Sequence, residues 1–253
     1  MRTMRLATVI PAFNEGATIG AVVAGVRAVC PTAAVFVVDD ASTDETAARA
    51  AAAGAHGVLR VSPRAGKGAA LRAGFAAALA EGAELVATLD ADGQHDPADL
   101  PRLLAAGRAA PDGLIMGDRL APGSGDRIPG LRLGAIRAAD VVLRWLARTA
   151  IRDSQCGFRV YPATLLRALP LSREGFVLET EVLLGATRLG YRLVSVPVRS
   201  IYPPDRASRF RALADGTRIG WYLAGETARE LSVRFVNEAG RRRLRLPAVV
   251  PPA

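Results

Sequence analysis

The stretch Leu85-Val86-Ala87-Thr88-Leu89-Asp90-Ala91-Asp92-Gly93-Gln94 decides the fold. Its first five residues form a short, mostly apolar run that predicts a buried strand, and polar residues follow directly where that strand ends. Residues two apart on an extended chain project to the same side. Asp90, Asp92 and Gln94 therefore present two carboxylates and an amide oxygen together. Oxygen ligands of this kind suit Mg²⁺ or Mn²⁺.

This pattern predicts a catalytic centre. We expect Asp92 and Gln94 to coordinate the metal ion. Asp90 would orient the bound substrate from which a group is transferred. The alternative is a solvated turn in which Asp96, before Pro97, only caps the next helix. Asp-x-Asp alone is common, but its position directly after an apolar strand favours the catalytic interpretation.

Apolar runs and Ala-rich amphipathic stretches alternate along the chain. The predicted strands are Leu6–Ile10, Ala34–Val38, Val58–Val61, Leu85–Leu89, Leu114–Met116 and Leu193–Val196. The predicted helices lie at 16–29, 44–53, 67–81, 97–109, 130–149, 178–189 and 211–236. This alternation predicts an α/β fold whose mostly parallel sheet has helices on both faces. Ligands of such sheets bind beyond the carboxyl ends of the strands.

Polar segments follow the first two strands and reach the same rim as the Asp-x-Asp stretch. They are Pro11-Ala12-Phe13-Asn14-Glu15 after the first strand and Asp39-Asp40-Ala41-Ser42 after the second. Carboxylates after the second strand suit a nucleobase edge or ribose hydroxyls. The alternative is helix capping, by Asn14 and Glu15 in the first segment and by Ser42 or Thr43 in the second.

Lys67, the only lysine of the chain, stands between two glycines at a predicted helix start. Exposed backbone amides and an ammonium group suit a phosphate. The Gly-x-x-x-x-Gly-Lys-Ser/Thr spacing of a P-loop is absent, so the segment alone is a weak signal.

These four segments, in this order, resemble the inverting glycosyltransferases of family 2. The second half resembles the polyprenyl-phosphate hexosyltransferase branch, which includes dolichol-phosphate mannose and glucose synthases. That likeness rests on Gly117-Asp118-Arg119, Asp153-Ser154-Gln155-Cys156-Gly157-Phe158-Arg159, Phe176-Val177-Leu178-Glu179-Thr180-Glu181, Val196-Pro197-Val198 and Ser208-Arg209-Phe210. Together the segments cover roughly residues 5–210.

The resemblance implies a GT-A fold, a Rossmann-like three-layer sandwich, and transfer of a hexose from a GDP- or UDP-sugar with inversion, dependent on Mg²⁺ or Mn²⁺. The acceptor it implies is a polyprenyl phosphate. The nucleotide sugar would contact Pro11, Phe13, Asn14, Glu15, Asp39, Asp40, Lys67 and Asp90. The acceptor phosphate would contact Arg119, Arg132, Arg137, Ser208 and Arg209. For the three arginines the alternative is a solvated helix face.

Two further readings of the function stay open. In the first, the acceptor is a small soluble sugar whose hydroxyl needs a carboxylate such as Asp153 or Glu179 to take its proton. Of these two residues, Asp153 is the catalytic candidate. A nucleotide-sugar-binding protein without catalysis is the other alternative, although such a protein has no need of the Asp-x-Asp stretch.

Composition limits the partners. The net charge is +9, from 33 basic and 24 acidic residues, but only 5% of residues are aromatic, so we expect no nucleic-acid partner. Two cysteines and no segment long and apolar enough to span a membrane favour a reduced, cytoplasmic protein. We expect a catalytic domain at 1–210 and an extension at 211–253. The extension either packs on the core or, with its basic cluster at 241–245, contacts the inner membrane face peripherally.

Overall fold

The computed structural model describes residues 4–125, 128, 130–202 and 212–243, with side chains of the last stretch described from 215 to 232. The strands are β1 (Leu6–Ala12), β2 (Ala34–Asp40), β3 (Gly57–Val61), β4 (Leu85–Thr88), β5 (Gly113–Asp118), β6 (Arg159–Pro162) and β7 (Arg192–Pro197). The helices are α1 (Ile19–Val29), α2 (Thr46–Ala52), α3 (Lys67–Ala80), α4 (Leu100–Ala109), α5 (Gly130–Ala147), α6 (Ala163–Ala168), α7 (Val177–Arg188) and α8 (Ala212–Arg243). A 3-10 turn, Pro97–Asp99, precedes α4.

The seven strands form one sheet in the order β3-β2-β1-β4-β6-β5-β7. Every pairing is parallel except those of β6, which runs antiparallel to both β4 and β5. The predicted, mostly parallel sheet is therefore confirmed. The sequence pattern missed β6 and the short α6, because β6 has only four residues and begins with the charged Arg159.

Side-chain alternation divides the core between the two faces of the sheet. Val9 of β1 and Val38 of β2 pack with α3, α7 and α8 on one face, whereas Ile10 of β1 and Val37 of β2 pack with α1 and α4 on the other. On the first face α3 approaches the sheet so closely that a β-carbon at Gly74 would collide with Val9. The result is the predicted three-layer arrangement, in which β1 pairs in parallel with β2 on one side and with β4 on the other.

The C-terminal helix α8 packs against α5 and α7, and its Ile219 and Leu223 belong to the core on that face. An ion pair between Glu226 and Arg188 of α7 adds to this contact. Packing on the core is therefore observed for the part of the extension whose side chains are described. The boundary at residue 210 stays a prediction. No helix among the described residues has both the length and the apolar character that crossing a bilayer requires.

Candidate active site

The loops after β1 and β2 are joined by hydrogen bonds. The Asn14 backbone N–H donates to Ser42 Oγ over 2.9 Å, and Asn14 Oδ1 accepts from the Thr43 N–H over 2.8 Å. Asn14 and Ala41 adopt φ angles of 50° and 58°, in the left-handed region, which asparagine enters readily and alanine rarely. The strained Ala41 marks a place at the rim where the backbone is shaped for more than packing.

Asp44 organises the entry to both α1 and α2. Its carboxylate accepts hydrogen bonds from the backbone N–H of Gly16 over 2.9 Å and of Thr46 over 3.0 Å. Thr46 in turn accepts from the N–H of Glu15 over 2.8 Å. Ser42 and Thr43 do not cap α2, and α1 begins at Ile19 because residues 14–16 belong to this loop.

Asp39 and Asp40, predicted to bind the nucleoside, are both buried at the end of β2. Asp39 Oδ1 accepts from the Ser42 N–H over 3.0 Å. The two oxygens of Asp40 accept from the N–H groups of Ala65 and Gly66, each over 2.8 Å. Asp40 thus fixes the loop that leads into α3.

The segment between β3 and α3 also contacts the first loop. The Arg64 guanidinium lies 3.7 Å from the centroid of the Phe13 ring, a stacking geometry that adds a cation–π attraction. Pro11 is partly buried within β1 and pairs in register with Val38. The predicted nucleotide-contacting residues of the first half are therefore drawn to one edge of the sheet.

Lys67, at the start of α3, forms a three-membered charge cluster with Asp90 and Glu179. Its Nζ lies 2.8 Å from Asp90 Oδ1 and 3.0 Å from Glu179 Oε2. Burial alone raises the pKa of Asp90, but the ammonium outweighs it and the pKa falls to about 2. Burial likewise lowers the pKa of Lys67, and the two carboxylates outweigh it, so its pKa is raised. Lys67 and Asp90 are thus both charged at neutral pH.

Gly157 completes the cradle of this cluster. A β-carbon there would lie 2.8 Å from Asp90 Oδ2 and 3.0 Å from Lys67 Nζ, so any side chain would push the pair apart. The buried His95 lies behind Asp90, with its Nε2 3.8 Å from Asp90 Oδ2. Burial lowers the pKa of His95 to about 4, which keeps the imidazole neutral.

Asp92 has a different electrostatic environment. Burial first, and then the negative charges of Asp90 and Glu15, raise its pKa to about 6. Its Oδ1 accepts from the backbone N–H of Gln94 over 3.0 Å. No basic side chain among the described residues forms an ion pair with Asp92, so its negative charge is poorly compensated.

This donor set fits a divalent ion that shares its ligands with a substrate. Among the described residues no three His, Cys, Asp or Glu side chains converge as a complete metal site. Asp92 and Gln94 present two side-chain oxygens at this rim, and Mg²⁺ is commonly held by one or two carboxylates together with substrate phosphates. The Oε1 of Gln94 also accepts from Arg132 Nη1 over 3.3 Å.

Arg119, predicted to contact the acceptor phosphate, and Asp153, the predicted catalytic carboxylate, are paired with each other. Arg119 donates from Nε and Nη2 to the two oxygens of Asp153, each over 2.8 Å, and both residues are buried. Burial raises the pKa of Asp153, but the guanidinium outweighs it and the pKa is lowered. A buried carboxylate held in this way is a poor proton acceptor, and two of the three guanidinium nitrogens are engaged by it. The pair instead joins the end of β5 to the loop after α5.

The other predicted acceptor residues divide into three groups. Arg132 lies at the site, in contact with Gln94 and 5.7 Å from the ring centroid of Tyr202. Arg137 is exposed on α5, as a solvated helix face requires. Ser208 and Arg209 lie outside the described residues.

Sequence patterns missed part of this site. Glu179 was considered only as a base for a soluble acceptor, and Gly157 and His95 had no assigned role. Arg159 was also missed. It is fully buried and donates to the carbonyls of Cys156 and Glu179, each over 2.8 Å. The available signal was an arginine at the end of a predicted site motif, directly before the apolar Val160. Such a position could have indicated an organising role.

The model of glycosyl transferase family 2 matches residues 8–168 of the chain. The undecaprenyl-phosphate mannosyltransferase of Micrococcus luteus is 35% identical over 204 residues, which cover 77% of this chain and 83% of the relative. The polyprenol monophosphomannose synthase of Mycolicibacterium smegmatis is 34% identical over 205 residues, 78% of this chain and 77% of the relative. These two relatives belong to the predicted branch.

Among solved structures, glucosyl-3-phosphoglycerate synthase from Mycobacterium tuberculosis, crystallised with Mn²⁺, UDP and glucosyl-3-phosphoglycerate, superposes with a TM-score of 0.69. It is 24% identical, with 88% of this chain and 80% of that chain covered. The likeness confirms the predicted GT-A fold. With the family match extending from β1 through α6, the chain belongs to glycosyl transferase family 2 and is a glycosyltransferase.

Proposed function

We propose that this enzyme transfers a hexose from a GDP- or UDP-sugar to a polyprenyl phosphate. The observation that carries the proposal is the juxtaposition of Asp92 and Gln94 with the charged cluster of Lys67, Asp90 and Glu179 at one rim. A nucleotide diphosphate and a sugar fit such a rim, because the loops after β1 and β2 lie beside it. The polyprenyl acceptor is supported by the names of the two bacterial relatives.

Asp92 and Gln94 would hold Mg²⁺ or Mn²⁺. Such an ion neutralises charge on the diphosphate as it departs. The residues of the chain then have separate tasks. Asp90, fixed by Lys67 and packed against Gly157, orients the sugar, and the neutral His95 keeps its position behind it.

The acceptor phosphate is already a nucleophile at neutral pH, so the site needs to position it rather than deprotonate it. Arg132 is the cation placed to do so, beside the metal ligand Gln94. In the step, a phosphate oxygen forms a bond to the anomeric carbon while the bond from that carbon to the diphosphate breaks. The buried pairing of Asp153 agrees with a reaction that has no general base.

Calorimetric titration with UDP and GDP, each with and without Mn²⁺, tests the donor site. We expect one nucleotide to bind only with Mn²⁺, and Asp92→Ala to abolish that binding while the protein stays folded. Unfolding of this variant would contradict the assignment of Asp92 as a ligand.

A transfer assay then tests the acceptor. With the matching labelled sugar nucleotide, we expect product on polyprenyl phosphate and none on 3-phosphoglycerate. Transfer only to the soluble acceptor would overturn the lipid assignment. Nucleotide binding without transfer to either acceptor would favour a non-catalytic role.

A further inference from the structure

A cavity of about 680 Å³ lies between α5 and α8. Its lining includes the charged side chains of Lys67, Asp90 and Arg132, so it is continuous with the candidate active site. From there it continues along α5 as far as Val142 and along α8 as far as Leu231. Beyond the charged residues, apolar and small side chains predominate. The cavity therefore has one polar region and one long apolar region.

Four of the nine α8 residues that line this cavity have little or no side chain. Gly216, Gly220, Ala224 and Ala228 recur every four residues, which places them on one face of the helix. A β-carbon at Gly216 or Gly220 would meet no atom within 4 Å. Glycine is a poor helix former, and close packing within the chain does not account for these two. The space they leave belongs to the cavity.

The distance along the helix is substantial. At 1.5 Å per residue, the lining of α8 from Gly216 to Leu231 extends about 22 Å. A small phosphorylated acceptor would occupy only the charged region and would leave the apolar wall in water. A ligand with a phosphate at one end and a long hydrocarbon chain covers both regions.

We propose that this cavity, the α5–α8 groove, holds the first isoprene units of the acceptor, with the phosphate beside Arg132. This inference rests on the proposed function and adds the location of the chain. The apolar lining comprises Val142 of α5, the exposed Leu231 of α8, and the edges of side chains that are otherwise buried, namely Ile136, Ile219 and Leu223. Contact of this lining with the isoprenoid supplies the binding free energy.

Gly220→Leu tests the inference, because a β-carbon there meets no atom within 4 Å and the added side chain is directed into the groove. Gly225→Leu is the matched control. It makes the same substitution on the same helix, also in open space, but Gly225 lines a separate surface cleft with Trp221 and Tyr222. Neither position touches the residues assigned to the donor.

Two measurements are made on the full chain. Farnesyl phosphate binding is followed calorimetrically without donor, and the KM for polyprenyl phosphate is followed in the transfer assay. We expect Gly220→Leu to weaken farnesyl phosphate binding and to raise the KM by roughly tenfold or more. The leucine fills groove space, so part of the isoprenoid loses its apolar contact with the protein. Gly225→Leu should match the wild type, and Mn²⁺-dependent nucleotide binding should be unchanged in both variants.

The outcomes separate this inference from the proposed function. Equal farnesyl phosphate binding by Gly220→Leu and wild type, or no binding by wild type, overturns the groove assignment. Binding that Gly220→Leu abolishes, without any transfer by the wild type, supports the groove and overturns the proposed reaction. A change in oligomeric state of Gly220→Leu with unchanged acceptor binding would identify the groove as a contact between copies instead, and so overturn its assignment to lipid.

Discussion

Asp90 and Asp92 stand two residues apart and differ in charge compensation. Asp90 has the Lys67 ammonium at 2.8 Å and a pKa of about 2, whereas Asp92 lies among carboxylates and has a pKa of about 6. One aspartate is therefore stabilised by the protein itself. The charge of Asp92 is left for a ligand to compensate. Such an arrangement is expected at a site where a protein gives up stability in order to bind a ligand.

Asp92→Asn should stabilise the metal-free protein at pH 7.5 by about 1–2 kcal/mol. The folded pKa of Asp92 is raised, so ionising it above pH 6 disfavours the native state, and asparagine removes that cost. The gain should disappear towards pH 4, where the native carboxyl is protonated. Urea denaturation with EDTA at several pH values measures this. Asp90→Asn, which leaves Lys67 with one partner fewer, should destabilise at pH 7.5, and a destabilising Asp92→Asn would contradict the assignment.

Asp153→Ala should destabilise the protein by about 3–5 kcal/mol, since it leaves the buried Arg119 without its partner. Asp112→Ala is a matched control, because Asp112 accepts two hydrogen bonds from Arg192 in the same geometry at the exposed surface. Its cost should be much smaller, because water screens an exposed ion pair. Chemical denaturation measures both. An inactive Asp153→Ala enzyme with wild-type stability would show that Asp153 acts in the chemistry instead.

Among single residues, the sequence allowed prediction of those whose roles follow from their spacing along the chain. Asp90, Asp92 and Gln94 could be named because an extended chain sets their relative directions. The partnership of Lys67 with Glu179 could not, since it joins α3 to α7 across the fold. Arg119 and Asp153 were each recognised as candidates, but only the folded chain shows that each neutralises the other.

At the scale of elements, the rim depends on loops that hold one another in place. Residues 14–16 after β1 make backbone hydrogen bonds to the side chains of Ser42, Asp44 and Thr46 after β2. Thr18 Oγ1, at the start of α1, donates to the Ala91 carbonyl over 2.7 Å. The β1 segment therefore connects the β2 loop to the Asp-x-Asp stretch.

Asp44→Ala should lower the free energy of unfolding by about 1 kcal/mol, as the loss of a helix-start acceptor does. It should also weaken Mn²⁺-dependent nucleotide binding several-fold, because Gly16 of the first loop loses its hydrogen bond to the loop after β2. Glu45→Ala removes the same charge from the next residue, whose partner is the exposed Arg49. Calorimetry and urea denaturation compare the two variants. Equal effects would mean that charge alone, and not the loop connection, is responsible.

Every predicted helix and strand is present, including the four-residue β4. Predicted bounds differ at starts such as α1, where a loop takes residues that fit the helical pattern, and at the end of α8, which continues to Arg243 instead of 236. The missed strand β6 shows the limit. Its four residues carry no alternation, and it joins the sheet because β4 and β5 leave a place between them, which is a property of the whole sheet.

At the scale of the whole molecule, large exposed apolar side chains concentrate on two helices. Of seven among the described residues, five lie on α5 or α8: Leu131, Val141, Trp145, Trp221 and Leu231. Trp221 is 80% exposed and Leu131 75%. From this concentration we infer that α5 and α8 carry the part of the surface that contacts an apolar partner.

We expect the protein to bind vesicles of phosphatidylglycerol more strongly than vesicles of phosphatidylcholine, and less strongly at high salt, because the chain has a net charge of +9. The double variant Leu131→Ser and Trp221→Ser should weaken binding about tenfold or more, through loss of apolar contact with the bilayer. Leu189→Ser, at an exposed leucine after α7, is the control. Co-sedimentation measures all three, and equal binding by the double variant would exclude α5 and α8 as the contact surface.

The glycines of α8 also set a limit on how this enzyme can be made heat-resistant. Replacing helical glycines with alanine is a common way to stabilise a protein, worth up to about 1 kcal/mol at each position. At Gly225 that route is open, since the residue faces a surface cleft. At Gly216 and Gly220 each added carbon would narrow the α5–α8 groove. A thermostable variant selected only for melting temperature would therefore lose binding of the acceptor, while its fold and its binding of the sugar donor would be kept.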